Sequence, residues 1–295
     1  MTRQTIGNPL SWGAQSLAGI GRGIGEAVDG IGSHTMTRPT INKIGPADLR
    51  AALRAGASDF VALRSDVIAA MVLYPVIGFI LAVWTFNAGQ VHLLFPLAAG
   101  FPLIGPVAAI GLYEMSRRRE EGNETDWRAA LSTLRGRVLG PVLMLAMLLM
   151  AIFVLWLFAA HAIWAATLGP EPSVGLRAFL QDTFSTSAGW AMIVIGMAVG
   201  FVFAAVVLCI SLVSFPMLID RPVGVPVALA TSLAVARENP GTTALWGLVV
   251  AVALLLGMIP FFAGLIIVLP ILGHATWHLY RRAVSYPDQP ARSEG

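Results

Sequence analysis

Residues Val138–Thr167, VLGPVLMLAMLLMAIFVLWLFAAHAIWAAT, decide the fold class of this chain. The stretch contains no Asp, Glu, Lys or Arg. It is longer than the about 20 apolar residues that are needed to cross about 30 Å of hydrocarbon. It therefore predicts a membrane-spanning helix that tilts or projects beyond the bilayer.

The rest of the chain has the same character. Of its 295 residues, 57% are hydrophobic and 12% are charged, and the mean hydropathy is +0.76. An ordinary soluble domain is about 45–50% apolar and about 25% charged. Because so little charge cannot coat a globule of this size, the composition excludes a soluble enzyme and a disordered scaffold. What remains is a polytopic membrane protein.

We expect an all-α membrane helix bundle with about six transmembrane helices. The predicted spans are Asp66–Phe86, Leu93–Ser116, Val138–Thr167, Gly189–Ile219, Thr242–Ile259 and Phe261–Tyr280. The fifth and sixth spans meet at Gly257–Pro260, which predicts a tight hairpin. The boundary between the first and second spans is the least defined by the pattern.

The placement of the arginines predicts the orientation. Six spans put both termini on one side, and that side carries 18 of the 19 Lys and Arg residues, while the other side carries Arg177 alone. Cytoplasmic flanks hold the excess of Lys and Arg in membrane proteins. We therefore expect both termini in the cytoplasm and the protein in the lipid bilayer of the inner membrane.

The segments outside the spans divide into an arm, a tail and amphipathic helices. Residues 1–45 predict a Gly-rich, mobile cytoplasmic arm, and residues 285–295 predict a disordered tail. Three segments have one apolar face and predict interfacial helices on the inner leaflet, with docking of a partner as the sharper alternative. They are Pro46–Arg64, Asp126–Arg137 and Val225–Asn239.

An offset of 164 residues superposes the second span on the sixth and predicts an internal repeat. Pro96, Gly100, Pro106, Arg117 and Arg118 then fall on Pro260, Gly264, Pro270, Arg281 and Arg282. Residues 46–119 and 221–284 would be parallel repeats about an axis along the membrane normal, and residues 120–220 a two-span insert. Pro106 and Pro270 predict kinks, either for packing or at a transport site. Gly196 and Gly200, one turn apart, predict close helix–helix approach.

Three runs of sequence carry a family resemblance. They are Phe101–Pro106 continuing through Gly111–Arg118, then Phe215–Arg221, and Leu269–Arg281. Together they resemble a bacterial family of predicted integral membrane proteins of unknown function, domain of unknown function 2189, over roughly residues 60–284. The resemblance implies an inner-membrane bundle. Some relatives are labelled as cytochrome c oxidase components, which implies a respiratory oxidase as a partner, and the family has no active site to carry over.

Three intramembrane polar residues are candidate sites. His274 and His278 lie one turn apart on the sixth span, hence on one helical face. They predict either neutral, hydrogen-bonded imidazoles or ligands of a metal or haem, although a haem held on both faces needs a further histidine. By the repeat offset Glu114 takes the place of His278, which predicts a carboxylate–imidazole pair that joins the two repeats.

The sequence favours a non-catalytic role. Nucleophile–base arrangements, zinc-protease motifs and phosphate loops are absent, and a chain with the single cysteine Cys209 forms no intrachain disulfide. Basic residues do not cluster with aromatic ones, so no nucleic acid is expected. The leading hypothesis is a scaffold or accessory protein that binds a larger membrane assembly. A small-solute transporter or channel built on the repeat is the alternative, and metal or haem binding at His274 and His278 is the third.

Overall fold

The computed structural model confirms an all-α helical bundle with the character of a membrane protein. It describes residues 39–87, 89–100, 105–123, 125, 138–169, 175–260 and 262–287. The predicted amphipathic segment Asp126–Arg137 and most of the predicted N-terminal arm lie outside the described residues. We number the helices in chain order. They are α1 Pro46–Met71, α2 Leu73–Asn87, α3 Leu94–Gly100, α4 Gly105–Ala108, α5 Ile110–Glu120, α6 Leu139–Thr167, α7 Leu176–Ser185, α8 Ser187–Ser211, α9 Ser214–Asp220, α10 Val225–Glu238, α11 Pro240–Met258 and α12 Leu265–Ala283.

Three segments of the described chain are long and apolar enough to cross a membrane: Leu139–Thr167, Ser187–Asp220 and Pro240–Met258. They coincide with the third, fourth and fifth predicted spans. Their outward side chains are large and apolar. Met147 on α6, Phe201 on α8 and Leu255 on α11 are 72%, 74% and 63% exposed. Lipid is the solvent that such surfaces fit, because exposed apolar area of this extent is unfavourable in water.

The predicted interfacial helix and the first predicted span have different boundaries in the structure. The segment Pro46–Arg64 and the start of Asp66–Phe86 form one continuous helix, α1, which ends at Met71, and α2 follows from Leu73. Pro75 explains the break, because it has no N–H to bond the carbonyl of Met71 and its ring crowds that carbonyl.

The second predicted span, Leu93–Ser116, is also divided. It begins in a 3₁₀ turn, Val91–Leu93, and continues as the short helices α3, α4 and α5. Pro106 lies in α4, a helix that directly follows residues 101–104, which the structure does not describe. Pro270 lies inside α12. The predicted kink at Pro106 and the internal repeat stay predictions.

The two ends of the described chain meet in a short antiparallel pair of strands. Thr40–Ile41 (β1) pairs with Val284–Ser285 (β2), and the Asn42 side chain donates to the carbonyl of Arg282 at 2.9 Å. Tyr286 is buried. The last residues of the predicted arm and the first of the predicted tail are therefore ordered, because each supplies the other with backbone partners.

Helix α12 lies at the centre of the end of the bundle that carries this strand pair, packed between α1 and α5. Asp48 of α1 pairs with Arg282, and Gly56 lies against Ile271 and Ala275, so α1 and α12 run antiparallel. A Cβ on Gly56 would lie 2.5 Å from the backbone nitrogen of Ala275. On the other side of α12, a Cβ on Gly273 would lie 2.5 Å from Leu112 Cδ1 of α5. The two glycines thus let three helices approach closely, as small residues do in membrane bundles.

Candidate functional site

Five polar side chains meet where α1, α5 and α12 touch. Helix α1 provides Asp59, α5 provides Ser116 and Arg119, and α12 provides His274 and His278. We call these five residues the polar cluster. Asp59, Ser116 and His274 are 5%, 1% and 0% exposed. Groups buried so deeply must be satisfied by one another, because unpaired burial costs several kcal/mol, about the size of a protein's whole stability.

Asp59 is the centre of the cluster. Its Oδ2 accepts a hydrogen bond from Ser116 Oγ at 2.6 Å and lies 2.8 Å from His278 Nε2. Its Oδ1 accepts from Arg119 Nη1. One carboxylate therefore joins all three helices through hydrogen bonds of the strong, charge-assisted kind.

The hydrogen bonds fix the tautomer of His274. Ser116 has one hydroxyl proton, which it donates to Asp59, so its oxygen must accept from His274 Nδ1 at 2.7 Å. Neutral His274 then carries its proton on Nδ1, and its buried Nε2 has no hydrogen-bond partner among the described residues. An unprotonated Nε2 is the less costly form at such a site, since a buried donor without an acceptor would add a further penalty.

The surroundings of Asp59 act on its pKa in opposite directions. Burial raises the pKa. The hydrogen bonds from His278 and Ser116 and the electrostatic effect of the two imidazoles lower it by a larger amount, so the pKa lies below its ordinary value. The carboxylate is therefore ionised at neutral pH. Its contribution to stability is present above the unfolded pKa of 3.8 and is lost as the pH falls through the lower, folded value.

The carboxylate that faces His278 is Asp59 rather than Glu114, which corrects the predicted pair. Glu114 is 1% exposed, and its carboxylate instead accepts from Arg117 and Arg118 on its own helix, with contacts of 2.7 Å. The local i,i+3 and i,i+4 spacing brings these arginines to Glu114, whereas the antiparallel packing of α1 brings Asp59 to His278.

His274 and His278 do face the same side of α12, as the sequence predicts. Within the described ranges, no group of three or more His, Cys, Asp or Glu side chains is arranged to hold a metal ion. His274 Nδ1 and His278 Nε2 are directed at Ser116 and Asp59. The donor set around these imidazoles fits a hydrogen-bond network better than a metal or haem site.

The two glycines of the fourth span have different surroundings. A Cβ on Gly200 would lie 3.1 Å from the ring of Trp156 on α6, so Gly200 lies at a helix contact within this chain. A Cβ on Gly196 would meet nothing within 4 Å. Gly196 therefore leaves open space beside α8.

A second pair of histidines, His92 and His161, lies near the C-terminal end of α6. His92, in the 3₁₀ turn, lies 3.0 Å from His161 and stacks on Trp164 with ring centroids 3.8 Å apart. His92 lies outside the predicted spans and is 7% exposed. Burial, and then the neighbouring His161, lower the pKa of His92 to about 4. In this contact one ring nitrogen donates and the other accepts.

Sequence reasoning missed Asp59, although a signal was present. Leu49, Ala52, Gly56, Leu63 and Val67 are buried at helical spacing, and Asp59 lies on the same stripe. A carboxylate on the apolar face of an amphipathic helix requires a partner. The partner was not identifiable, because His278 lies 219 residues away in sequence.

Comparison with known proteins finds one family. Residues 94–220 match the family model described as "Predicted integral membrane protein (DUF2189)". The match includes Ser116 and Arg119 of the polar cluster but neither Asp59 nor the two histidines. No curated protein and no solved structure matches the chain. The resemblance drawn from the sequence motifs is thus confirmed over residues 94–220, where the chain is similar to a family of predicted integral membrane proteins.

Proposed function

We propose that this protein is a non-catalytic scaffold or accessory protein of the bacterial inner membrane, with both termini in the cytoplasm. One observation carries the proposal: the buried ionisable groups of the polar cluster are bonded to one another across α1, α5 and α12. Groups that bind or convert a substrate are usually directed into a cleft. Here the three helices direct theirs at a shared carboxylate, which favours a role in holding the bundle together.

The surface of the bundle supports the same role. The outward faces of α6, α8 and α11 are apolar over several turns. Such faces can contact either lipid or another membrane helix, since packing between membrane helices depends on close fit rather than on hydrophobicity. The open space beside Gly196 is a place where a partner helix would approach α8 closely.

The partner class that we propose is a larger inner-membrane assembly. A respiratory oxidase is the first candidate to test, because relatives in the resembling family bear that label. The orientation rests on the 18 basic residues on the side of the termini.

Purification from the native membrane in gentle detergent, without crosslinker, tests this function. We expect a stoichiometric membrane partner to co-purify. A clean monomer would contradict the proposal, and so would solute flux through the purified protein in vesicles, which is what the alternative of a transporter or channel predicts.

A matched pair of variants on α8 locates the contact. Gly196→Ile fills the open space beside α8 and should release the partner. Val194→Ile enlarges a side chain that is already 64% exposed on the same helix and should retain it. Retention of the partner by Gly196→Ile would show that α8 is not the docking face.

A further inference from the structure

Helix α7 joins the ends of the two most apolar spans, at the end of the bundle opposite the polar cluster. It runs from Leu176 to Ser185, between the end of α6 and the start of α8. Gly189, in the first turn of α8, lies directly against the backbone oxygens of Asp182 and Thr183. Thr186 caps α8 by accepting from Gly189 N at 2.9 Å. These contacts hold α7 against the end of α8.

The side chains of α7 fall into three sectors around its axis. Thr183 is buried against the protein, and Phe179 and Asp182 are half-buried beside it. Leu176, Leu180 and Phe184, spaced four residues apart, form an apolar stripe that is 41%, 44% and 59% exposed. Arg177, Gln181 and Ser185 follow each of them by one residue and form an exposed polar sector.

The apolar stripe continues onto the lipid-facing surface of α8. Phe184 meets Trp190 edge to face, with centroids 6.4 Å apart, and Trp190 Nε1 donates to the carbonyl of Phe184 at 3.1 Å. Trp190, Val194 and Met197 are 54%, 64% and 59% exposed along one side of α8. Tryptophan in this position is typical of the membrane–water interface, where its ring is buried and its N–H is satisfied.

We propose that α7 is an interfacial anchor, which lies in the headgroup region of the bilayer with Leu176, Leu180 and Phe184 among the acyl chains. A helix at an interface needs one face for protein, one for lipid and one for water, and α7 has all three. Lipid is the occupant because the stripe is continuous with the apolar surface of a membrane span. A soluble partner bound to α7 would cover the stripe but not the apolar surface of α8 that continues from it. The anchor fixes the depth of the α6–α8 pair in the bilayer.

Depth measurement by spin labelling tests the anchor. In the full chain with Cys209→Ala, single cysteines are placed by Phe184→Cys or Leu180→Cys in the stripe, and by Gln181→Cys or Arg177→Cys in the polar sector. Each variant is labelled with a nitroxide and reconstituted into phosphatidylcholine–phosphatidylglycerol vesicles. Electron paramagnetic resonance then compares the relaxation by oxygen, which concentrates in acyl chains, with that by a water-soluble nickel chelate.

We expect labels at the stripe to favour oxygen and labels at the polar sector to favour nickel, with at least a fivefold difference in the ratio of accessibilities. Equal access of nickel to both sectors would place α7 in water and overturn the proposal. Protection of the stripe from both reagents would mean that protein covers it, which would overturn the proposal as well. Two positions are used in each sector, so loss of folding at one leaves the other as the test.

Discussion

Each end of the bundle holds a pair of histidines, and the two pairs differ in what lies beside them. At the polar cluster, His274 and His278 share the ionised carboxylate of Asp59, directly or through Ser116. At the opposite end, His92 faces His161 and stacks on Trp164, and burial lowers its pKa to about 4. At the polar cluster the Asp59 carboxylate links the histidines of α12 to α1 and α5, whereas His92 lies beside His161, and both burial and that neighbour oppose its protonation.

Removal of the Asp59 carboxylate should cause the largest loss of stability. Asp59→Ala leaves Arg119 and His278 without their buried acceptor, and loss of one member of a buried pair costs about 3–5 kcal/mol. We expect that loss in the free energy of unfolding, measured in mild detergent. Asp48→Ala on the same helix is the control, because Asp48 and Arg282 are 31% and 38% exposed and such pairs contribute at most about 1 kcal/mol. Equal losses in the two variants would contradict a special role for Asp59.

Separation of α1 from α12 should weaken the cluster without removing any of its members. Gly56→Ala places a methyl group 2.5 Å from the backbone of Ala275, which must then move away. We expect a loss of about 3 kcal/mol in unfolding free energy, near the upper end of what overpacking costs. Gly196→Ala is the control, since nothing lies within 4 Å of its Cβ. That variant should be neutral or stabilised by up to about 1 kcal/mol, because alanine favours a helix over glycine. A neutral Gly56→Ala would refute the close packing.

Acid should also act at the other end of the bundle, through His92. The unfolded chain protonates His92 below its ordinary pKa of 6.5, while the folded chain does so only near 4. The contribution of His92 to stability is therefore fully present above pH 6.5 and falls as the pH drops toward 4, by about 2 kcal/mol between pH 7 and pH 5. Unfolding of the wild type and His92→Gln at both pH values measures this loss. His92→Gln should lose about 2 kcal/mol less than the wild type between the two pH values, and an equal loss in both proteins would show that His92 does not contribute to it.

Sequence alone predicted the parts of the fold that depend on composition and length. The spans Val138–Thr167, Gly189–Ile219 and Thr242–Ile259 each coincide with a long apolar helix, because nothing else can bury such a run. The break between α1 and α2 at Val72 could also have been predicted, since Pro75 lies three residues further on.

The site required knowledge of packing that a local pattern does not hold. His274 and His278 are identified by their spacing, but the repeat offset led from His278 to Glu114. The offset assumes that equivalent positions have equivalent neighbours, but the Glu114 carboxylate accepts from Arg117 and Arg118 of its own helix. Only the antiparallel contact at Gly56 brings Asp59 to His278.

A double-mutant cycle tests whether Asp59 links α12 to α1. The free energy of unfolding is measured in detergent for Asp59→Asn, His278→Gln and the combined variant, and the same cycle is run with Glu114→Gln in place of Asp59→Asn. Residues in contact couple by about 0.5–3 kcal/mol, whereas residues without shared partners are additive within about 0.5 kcal/mol. We predict coupling of about 1–2 kcal/mol for Asp59 with His278 and additivity for Glu114 with His278. Additivity in the first cycle, or coupling in the second alone, would contradict this arrangement of the helices.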